Sequence, residues 1–497
     1  MPRRGRFVLA RGCDEAYTSG MSIIFPPRYD QRVLALEAPG GAPARVAVAI
    51  PTITRPGKAF RACAAVLDEL GYPSVQCRQS VRLSDQHGRL LAEISFAPGQ
   101  PAVAMVDGLA AVEGFSRLAA ELGGQVFYSN PTLCTAKDCQ EILWGDPHVH
   151  TVLSQCHPDK CRSLDFGYAA GRYVSGLDWM AVADHVSNGR CEFARFKQQM
   201  LACEAHDDPP AFVTLPAYEA SLIGGAGGDA NVYMTRWPEM FIDQHDDGNL
   251  LTLAGKLEEK MGAGQFIVVP HHTTRSGKHG EIPDAIYPGA AAMPVVEIHS
   301  KWGTSEYRGN PNALKDVNPG PSYVQDFLAR GLRVGFVGGT DTHATMPAGG
   351  GFEPGHIDRL PGMTAVRCDA LTRQSVYAAI ATRKCYATSL ERIYLDVEIA
   401  GLSGGEKTKW PGGDRAIEIT AAAQSDIVSI DVIRNGRVMV SQRPGHWQAK
   451  LTARDNDAMD SLWLDSKYVG RFVYYYARVT CASGAQAWSS PVFVVSA

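Results

Sequence analysis

Between Leu143 and Arg367 one pattern recurs: a short apolar run, a side chain of metal-binding type at or just past its end, then a polar or helical stretch. Leu143-Trp144 leads into His148, Trp179 to Ala183 into Asp184-His185, and Phe212 to Leu215 into Glu219. Phe266 to Val269 leads into His271-His272, Val295 to Ile298 into His299, and Val334 to Val337 into Asp341 and His343. Runs at Ala230 to Tyr233 and Thr364 to Arg367 complete the set. Short apolar runs alternating with helical patterns predict parallel strands joined by crossover helices, an α/β architecture. In an α/β barrel the strand ends and the loops after them share one mouth, so six distant segments deliver their side chains to one place. A single strand-end histidine is usually a satisfied structural group. Six such coincidences need a common cause.

Histidine usage points the same way. Of the 14 histidines, 11 lie between His148 and His343. The first edge of this window reads Trp144-Gly145-Asp146-Pro147-His148-Val149-His150. On a strand, Asp146, His148 and His150 face the same way, and two imidazoles two residues apart can converge on one cation. Alone, a His-x-His is weak evidence; the segments that follow it give it weight.

The charge balance, 48 basic against 52 acidic residues, carries no basic footprint for nucleic acid or an anionic membrane. A small molecule is the expected partner, with no nucleic acid and no membrane; the oligomeric state stays open, a homo-oligomer included. No stretch approaches the ~20 apolar residues of a membrane span, and the opening ten residues lack a long apolar core. A cytoplasmic location is expected. The 12 cysteines include no Cys-x-x-Cys pair, so reduced, mostly buried thiols are expected rather than disulfide staples.

Three regions follow from texture. Residues 1–140 read as an N-terminal α+β accessory region, with strands at Arg45 to Ile50 and Val81 to Ile94 and helices at Ala59 to Leu70 and Gly108 to Leu122. Residues 141–390 carry the α/β pattern. Residues 391–497 read as an antiparallel β-sandwich with a hairpin at Asn435-Gly436, its Tyr474-Tyr475-Tyr476 assigned to core packing.

Taken in order, Gly145 to Thr151 with Ser154, Ala183-Asp184-His185, Tyr218-Glu219, Pro270-His271-His272 and Gly338-Gly339-Thr340-Asp341-Thr342-His343 resemble the PHP (polymerase and histidinol phosphatase) superfamily over about residues 142 to 390. Trp144-Gly145, Arg383 to Thr388 and Trp488 to Pro491 resemble its longer, DUF3604-like branch. The resemblance implies a distorted (β/α)7 TIM-like barrel holding two or three divalent metal ions (Zn, Mn or Fe) at its mouth. It places His148, His150, Glu219 and Asp341 around one metal and His185 with His343 at a second. Glu219 then bridges to a third with His271 or His272. Imidazoles with carboxylates suit those metals, and a carboxylate between two cations can bridge them.

Two positions depart from the family pattern. Where relatives carry Asp or His six residues after the second histidine, this chain has Cys156 followed by His157; a thiolate is softer and favours zinc or iron. In Gly228-Asp229-Ala230-Asn231-Val232-Tyr233, Asp229 stands where relatives carry histidine, and it can still ligate. Asp146 is implied to be a partner that orients the neighbouring imidazoles rather than a ligand.

The implied activity is a metal-dependent hydrolase, foremost a phosphoesterase acting on a small-molecule phosphoester through metal-bound hydroxide. Asp341 and Asp184 assist proton transfer, and Arg275, with Lys278 and Lys301, offers cations to a phosphate or carboxylate. One alternative is hydrolysis or lysis of an amide, lactone or ether on the same barrel. Another is a metal-binding module whose aromatic-rich C-terminal region recognises a partner. The glycine runs Gly224 to Gly228 and Gly349 to Gly351 lack the Lys-Ser/Thr ending of a phosphate loop and read as rim segments.

Overall fold

The computed structural model describes residues 21–186, 193–222, 228–239, 248–276, 282–314, 317, 320–349, 360–410 and 412–496. Gly224 to Gly227, Lys278 and Gly350-Gly351 lie outside the described residues. Two units emerge: Met1–Asp138 with Tyr173–Gly176, and Cys139–Arg172 with Leu177–Ala497.

Among its described residues the first unit is built from short, mostly antiparallel strands and one helix, Arg28–Glu37. Both helices expected here are strands. Phe60–Leu67 lies between Arg45–Ala49 and Val103–Leu109, with Ala62, Ala64 and Val66 buried in the core. Alanine raised the helical reading; the alternation Ala62, Ala64, Val66 is the strand period, and small side chains suit a crowded central strand. From Gly108 to Leu122 the backbone holds φ 84° at Gly108 and 97° at Gly114, a region glycine enters freely and a helix does not use. Ala119–Leu122 instead pairs with Gln125–Tyr128 across Gly123-Gly124. Both glycines sit at positive φ, as a two-residue type I′ hairpin turn requires.

In the second unit strands predominate over helices. Glu141–Val149 runs parallel to Trp179–Val182, which runs parallel to Val213–Thr214. Val295–Ser300 runs parallel to Gly335–Gly338. Helices Leu164–Ala169, Phe193–His206, Leu250–Met261, Val324–Ala329 and Arg373–Ala381 fall between strands as the alternating pattern requires.

The expected distorted (β/α)7 barrel is not met as one continuous parallel sheet. Ala217–Ser221, Asp229–Met234 and Phe266–Pro270 form a separate antiparallel sheet. The link from Ser221 to Asp229 is too short for the dozen or more residues a parallel crossover needs. The strands of the region therefore divide among three hydrogen-bonded sheets. Two isolated parallel bridges, His185 with Glu219 and Val149 with Thr342, connect strand ends across sheet boundaries.

Beyond Ile393 the chain is antiparallel β, except that Lys407–Lys409 runs parallel to Val492–Val495. Its strands belong to the same 15-stranded sheet as Glu141–Val149, because Cys385–Ser389 pairs with Gln486–Ser489, which pairs with Gly470–Cys481. The expected runs Ala416 to Ala422 and Ile427 to Arg434 form one 20-residue strand, Arg415–Arg434, with an irregular register between Ala422 and Ile427. Asn435 and Gly436 close a two-residue hairpin at φ 48° and 78°. Tyr474, Tyr475 and Tyr476 are buried, so the aromatic triplet serves the core and offers no face to a partner. No helix of the described residues is long and apolar enough to cross a membrane.

Candidate metal centre

The side chains at the strand ends meet. His148 and His150 close Glu141–Val149 with their Nε2 atoms 3.2 Å apart. His150 Nε2 is 3.1 Å from Asp341 Oδ1 and 3.3 Å from Glu219 Oε2; His148 Nε2 is 3.6 Å and 3.8 Å from the same two oxygens. His185 Nδ1 lies 3.0 Å from Glu219 Oε2. His271 Nε2 lies 2.6 Å from Glu219 Oε1, and His272 Nε2 lies 2.5 Å from Asp341 Oδ2. All of these residues are buried.

Among the described residues, donor atoms within 4.8 Å of one another form four overlapping groups: His148, Glu219 and His271; His148, His150 and Asp341; His271, His272 and Asp341; and His150, Cys156, His185 and His343. Nine of the ten residues expected as ligands are in them. The tenth, Asp229, is half-buried on its strand and acts on His185 through its charge, outside all four groups. His157 packs edge-on against His343, ring centroids 4.6 Å apart, and it is Cys156 that joins the donor set.

Backbone geometry explains why these side chains converge. Asp341 N donates to His148 O at 2.8 Å and His150 N to Thr342 O at 3.1 Å, pinning the loop after Gly335–Gly338 against the end of Glu141–Val149. His272 and Asp341 both sit at φ 50°, a conformation costing a non-glycine residue about 1–3 kcal/mol and concentrated at functional sites. At Gly339 a Cβ would come within 2.6 Å of His148 Cβ and 2.8 Å of Glu297 Oε2, so only glycine lets the two elements approach.

Two aspartates of the motifs hold this backbone. Asp146 accepts from His148 N, Thr340 N, Thr340 Oγ1 and Ala348 N. It thus joins strand to loop rather than orienting imidazole rings, a correction to the family-based reading. Its strand is irregular between Asp146 and Val149, which breaks the alternation that would have set Asp146 beside His148. Asp184 accepts from Thr151 N and Thr151 Oγ1, both at 2.6 Å, fixing the turn from which Ser154 Oγ reaches His150 Nδ1 at 3.0 Å. Burial pushes both carboxyls up to about 6.

Glu297 is the residue the sequence reading missed. Its Oε2 lies 3.0 Å from His148 Nδ1, a carboxylate–imidazole pairing that fixes the ring and directs Nε2 at Glu219 and Asp341. A glutamate inside the apolar run Val295 to Ile298 was the available signal, because a buried carboxylate needs a partner. His299, counted among the strand-end residues, is turned away: its nitrogens meet Thr304 Oγ1 at 2.8 Å and Leu360 O at 2.6 Å. The register of its strand shifts between Glu297 and His299, so the two no longer share a face.

Electrostatics follow from this crowding. Burial opposes charge on His148, yet Asp341 and Glu297 outweigh it and hold the imidazole well above its usual value. Glu219 and Asp341 are held well below the usual carboxylate range, burial being overcome by His185 and His271 in one case and by His148, His150 and His272 in the other. Cys156 is pulled far below the ordinary thiol range, first by a hydrogen bond with Cys161 and then, against burial, by His185 and His343. Burial and the neighbouring His150 lower His343 to about 4.

The donor set fits divalent cations. Glu219 Oε2 is buried with no hydrogen-bond partner, although three imidazole nitrogens stand 3.0, 3.3 and 3.8 Å from it. Facing imidazole nitrogens and carboxylates at such spacing are held together by shared protons or by a metal; mixed N and O donors suit zinc, iron(II) or manganese, and the sulfur of Cys156 favours the first two. Arg275 and Lys301 stand beside this set against Trp302, with the guanidinium carbon 5.3 Å and the ammonium 5.0 Å from the ring centre.

No family model matches the chain. An uncharacterized protein of Chlamydia pneumoniae is 29% identical over 399 residues, and one of Chlamydia muridarum is 33% identical over 385 residues. Each alignment takes in 74% of this chain and 60% of the relative, so the chain spans about 60% of the length of the curated relatives it matches. Among solved structures, a two-domain Bacteroides vulgatus protein containing a predicted PHP-like metal-dependent phosphoesterase is 13% identical, with 69% of this chain and 92% of that one covered. Its TM-score of 0.35 is too low to bear on the function of this chain.

Proposed function

We propose that this chain is a multinuclear metal-dependent hydrolase of the PHP type, on an irregular barrel, acting on a small-molecule phosphoester. The observation that supports it best is the wedging of two buried carboxylates, Glu219 and Asp341, among imidazoles from separate strands. Divalent cations bound there would supply a nucleophile near neutral pH and neutralise charge building on the reacting group.

The chain's own residues divide the remaining work. His148, His150, His185, Glu219, His271, His272, Asp341, His343 and Cys156 would hold the cations. With a cation on His148 Nε2, Glu297 would accept the remaining ring proton at Nδ1, the two atoms lying 3.0 Å apart. Asp184, with both oxygens on Thr151, positions the His150 turn and is not placed to shuttle a proton. That task falls to Asp341, whose carboxylate touches His150 and His272.

The test is turnover by apo and metal-reconstituted protein, with metal content measured, on a panel of phosphate mono-, di- and triesters beside amides, lactones and ethers. The reading expects metal-dependent turnover of at least one phosphoester class. Equal turnover with and without metal contradicts the metallohydrolase; activity confined to carboxyl derivatives or ethers transfers the same residues to a non-phosphorus bond.

A further inference from the structure

Lys301 is only 7% exposed. Its Nζ lies 3.1 Å from His343 Nδ1, and the same ammonium sits 5.0 Å from the centre of the Trp302 ring. That indole packs edge-on against His272 and His343, at centroid separations of 5.9 and 6.0 Å, and carries the Arg275 guanidinium at 5.3 Å. One aromatic ring thus places two cations beside two of the donor groups, at positions contributed by separate strand-end loops.

The Lys301 contact with His343 has a chemical consequence. An ammonium only donates, so Lys301 uses the lone pair of His343 Nδ1 and leaves the ring proton on Nε2. A metal taking Nδ1 needs that same lone pair. A metal taking Nε2 needs the ring proton on Nδ1, where it would face the ammonium donor to donor. In either case a metal on His343 and the Lys301 hydrogen bond exclude each other. Burial keeps the released ammonium beside the donor set, where an anion can accept a charge-assisted hydrogen bond from it.

We infer that Lys301 and Arg275, organised around Trp302, form the anion-recognition subsite of this centre, with Lys301 released from His343 when metal binds, and that the subsite takes the charged oxygens of a phosphate group. The inference rests on the proposed metal-dependent reaction at this site and assigns the residues that read the substrate's charge. An ammonium and a guanidinium beside one ring suit a compact oxyanion with several acceptor oxygens, a guanidinium pairing with two of them at once. The indole screens both cations from solvent, which strengthens their pull on an anion.

The test uses the full chain reconstituted with zinc and inorganic phosphate as the probe, read by isothermal titration, with zinc affinity measured separately by competition with a chelator. Loss of one charge-assisted hydrogen bond is expected to weaken phosphate binding by roughly tenfold or more in Lys301→Met. Zinc affinity should hold or rise, because the group competing for His343 is gone. Lys301→Gln provides the same comparison if the methionine variant does not fold, and Arg275→Met should weaken phosphate in the same direction. A merely structural lysine would instead lower zinc and phosphate affinity together, and that result overturns the inference. So does unchanged phosphate affinity in the folded, zinc-loaded Lys301 variants. Failure of the native enzyme to turn over any phosphoester is a separate result, since phosphate binding is read without turnover.

Discussion

Glu297 was invisible to motif reasoning, and its replacement tests how far the positioning of His148 matters. Its carboxylate lies 3.0 Å from His148 Nδ1, with side-chain exposures of 1% for the glutamate and 0% for the histidine, so neither solvent nor salt screens the pair. Glu297→Ala leaves a buried Nδ1–H without its acceptor and frees the ring to rotate Nε2 away from Glu219 and Asp341. Partners of this kind typically change metal affinity by about tenfold to a hundredfold, or about 1.4–2.7 kcal/mol. Glu297→Gln keeps an acceptor but loses the charge, so the expected loss is nearer the lower end. The assay is zinc competition against a chromophoric chelator at fixed pH, with thermal melting to establish that each variant is folded. Zinc affinity within twofold of native in folded Glu297→Ala would refute the reasoning, because it would mean that the ring needs no external orientation.

Other outcomes follow from particular contacts. Gly339→Ala puts a methyl 2.6 Å from His148 Cβ, and overpacking of this kind costs about 1–3 kcal/mol; a lower melting temperature with weaker zinc binding is expected, and a variant unchanged in both counts against the close approach. Cys156→Ser should shift preference from zinc toward manganese, because the soft donor beside His150, His185 and His343 is lost; competition between the two metals reads this out. In the C-terminal strands Asp455 is held at about 2 because, against burial, hydrogen bonds from Arg415, Tyr475 and Arg434 favour its charge. Its folded value lies below the unfolded one, so its contribution of about 2 kcal/mol is present above pH ~4 and lost as pH falls toward 2. Asp455→Asn should flatten that part of the pH–stability curve, as urea melts from pH 2 to 6 will reveal.

Much of the site could be read from sequence because strand geometry leaves little freedom. Residues just past the ends of neighbouring strands must share an edge, and nine of the ten expected ligands do share one cluster. The errors have local causes. Asp146 was set beside His148 by strict alternation and His299 was counted among the strand-end residues, and in both strands the register is irregular at that point. Asp184 was given proton transfer alongside Asp341, whereas its oxygens are committed to Thr151. In the first unit alanine content at Phe60–Leu67 outweighed a strand period that was present in the same residues. The run of parallel strands expected of a distorted (β/α)7 barrel breaks at Ser221 to Asp229, where a short connection forces antiparallel pairing. Arg275 and Lys301 were legible as loop cations, but Trp302, against which both stand, was not: it matters through what it packs against, and sequence spacing carries no trace of that.

Elemental analysis of the purified chain, native and His148→Ala/His150→Ala, tests the central claim most directly. Two or three divalent ions per native chain are expected, with loss of most of them in the folded double variant, since those two imidazoles enter three of the four donor groups. A native chain purified under metal-replete conditions with less than one ion, or a double variant that keeps the full complement, would contradict it.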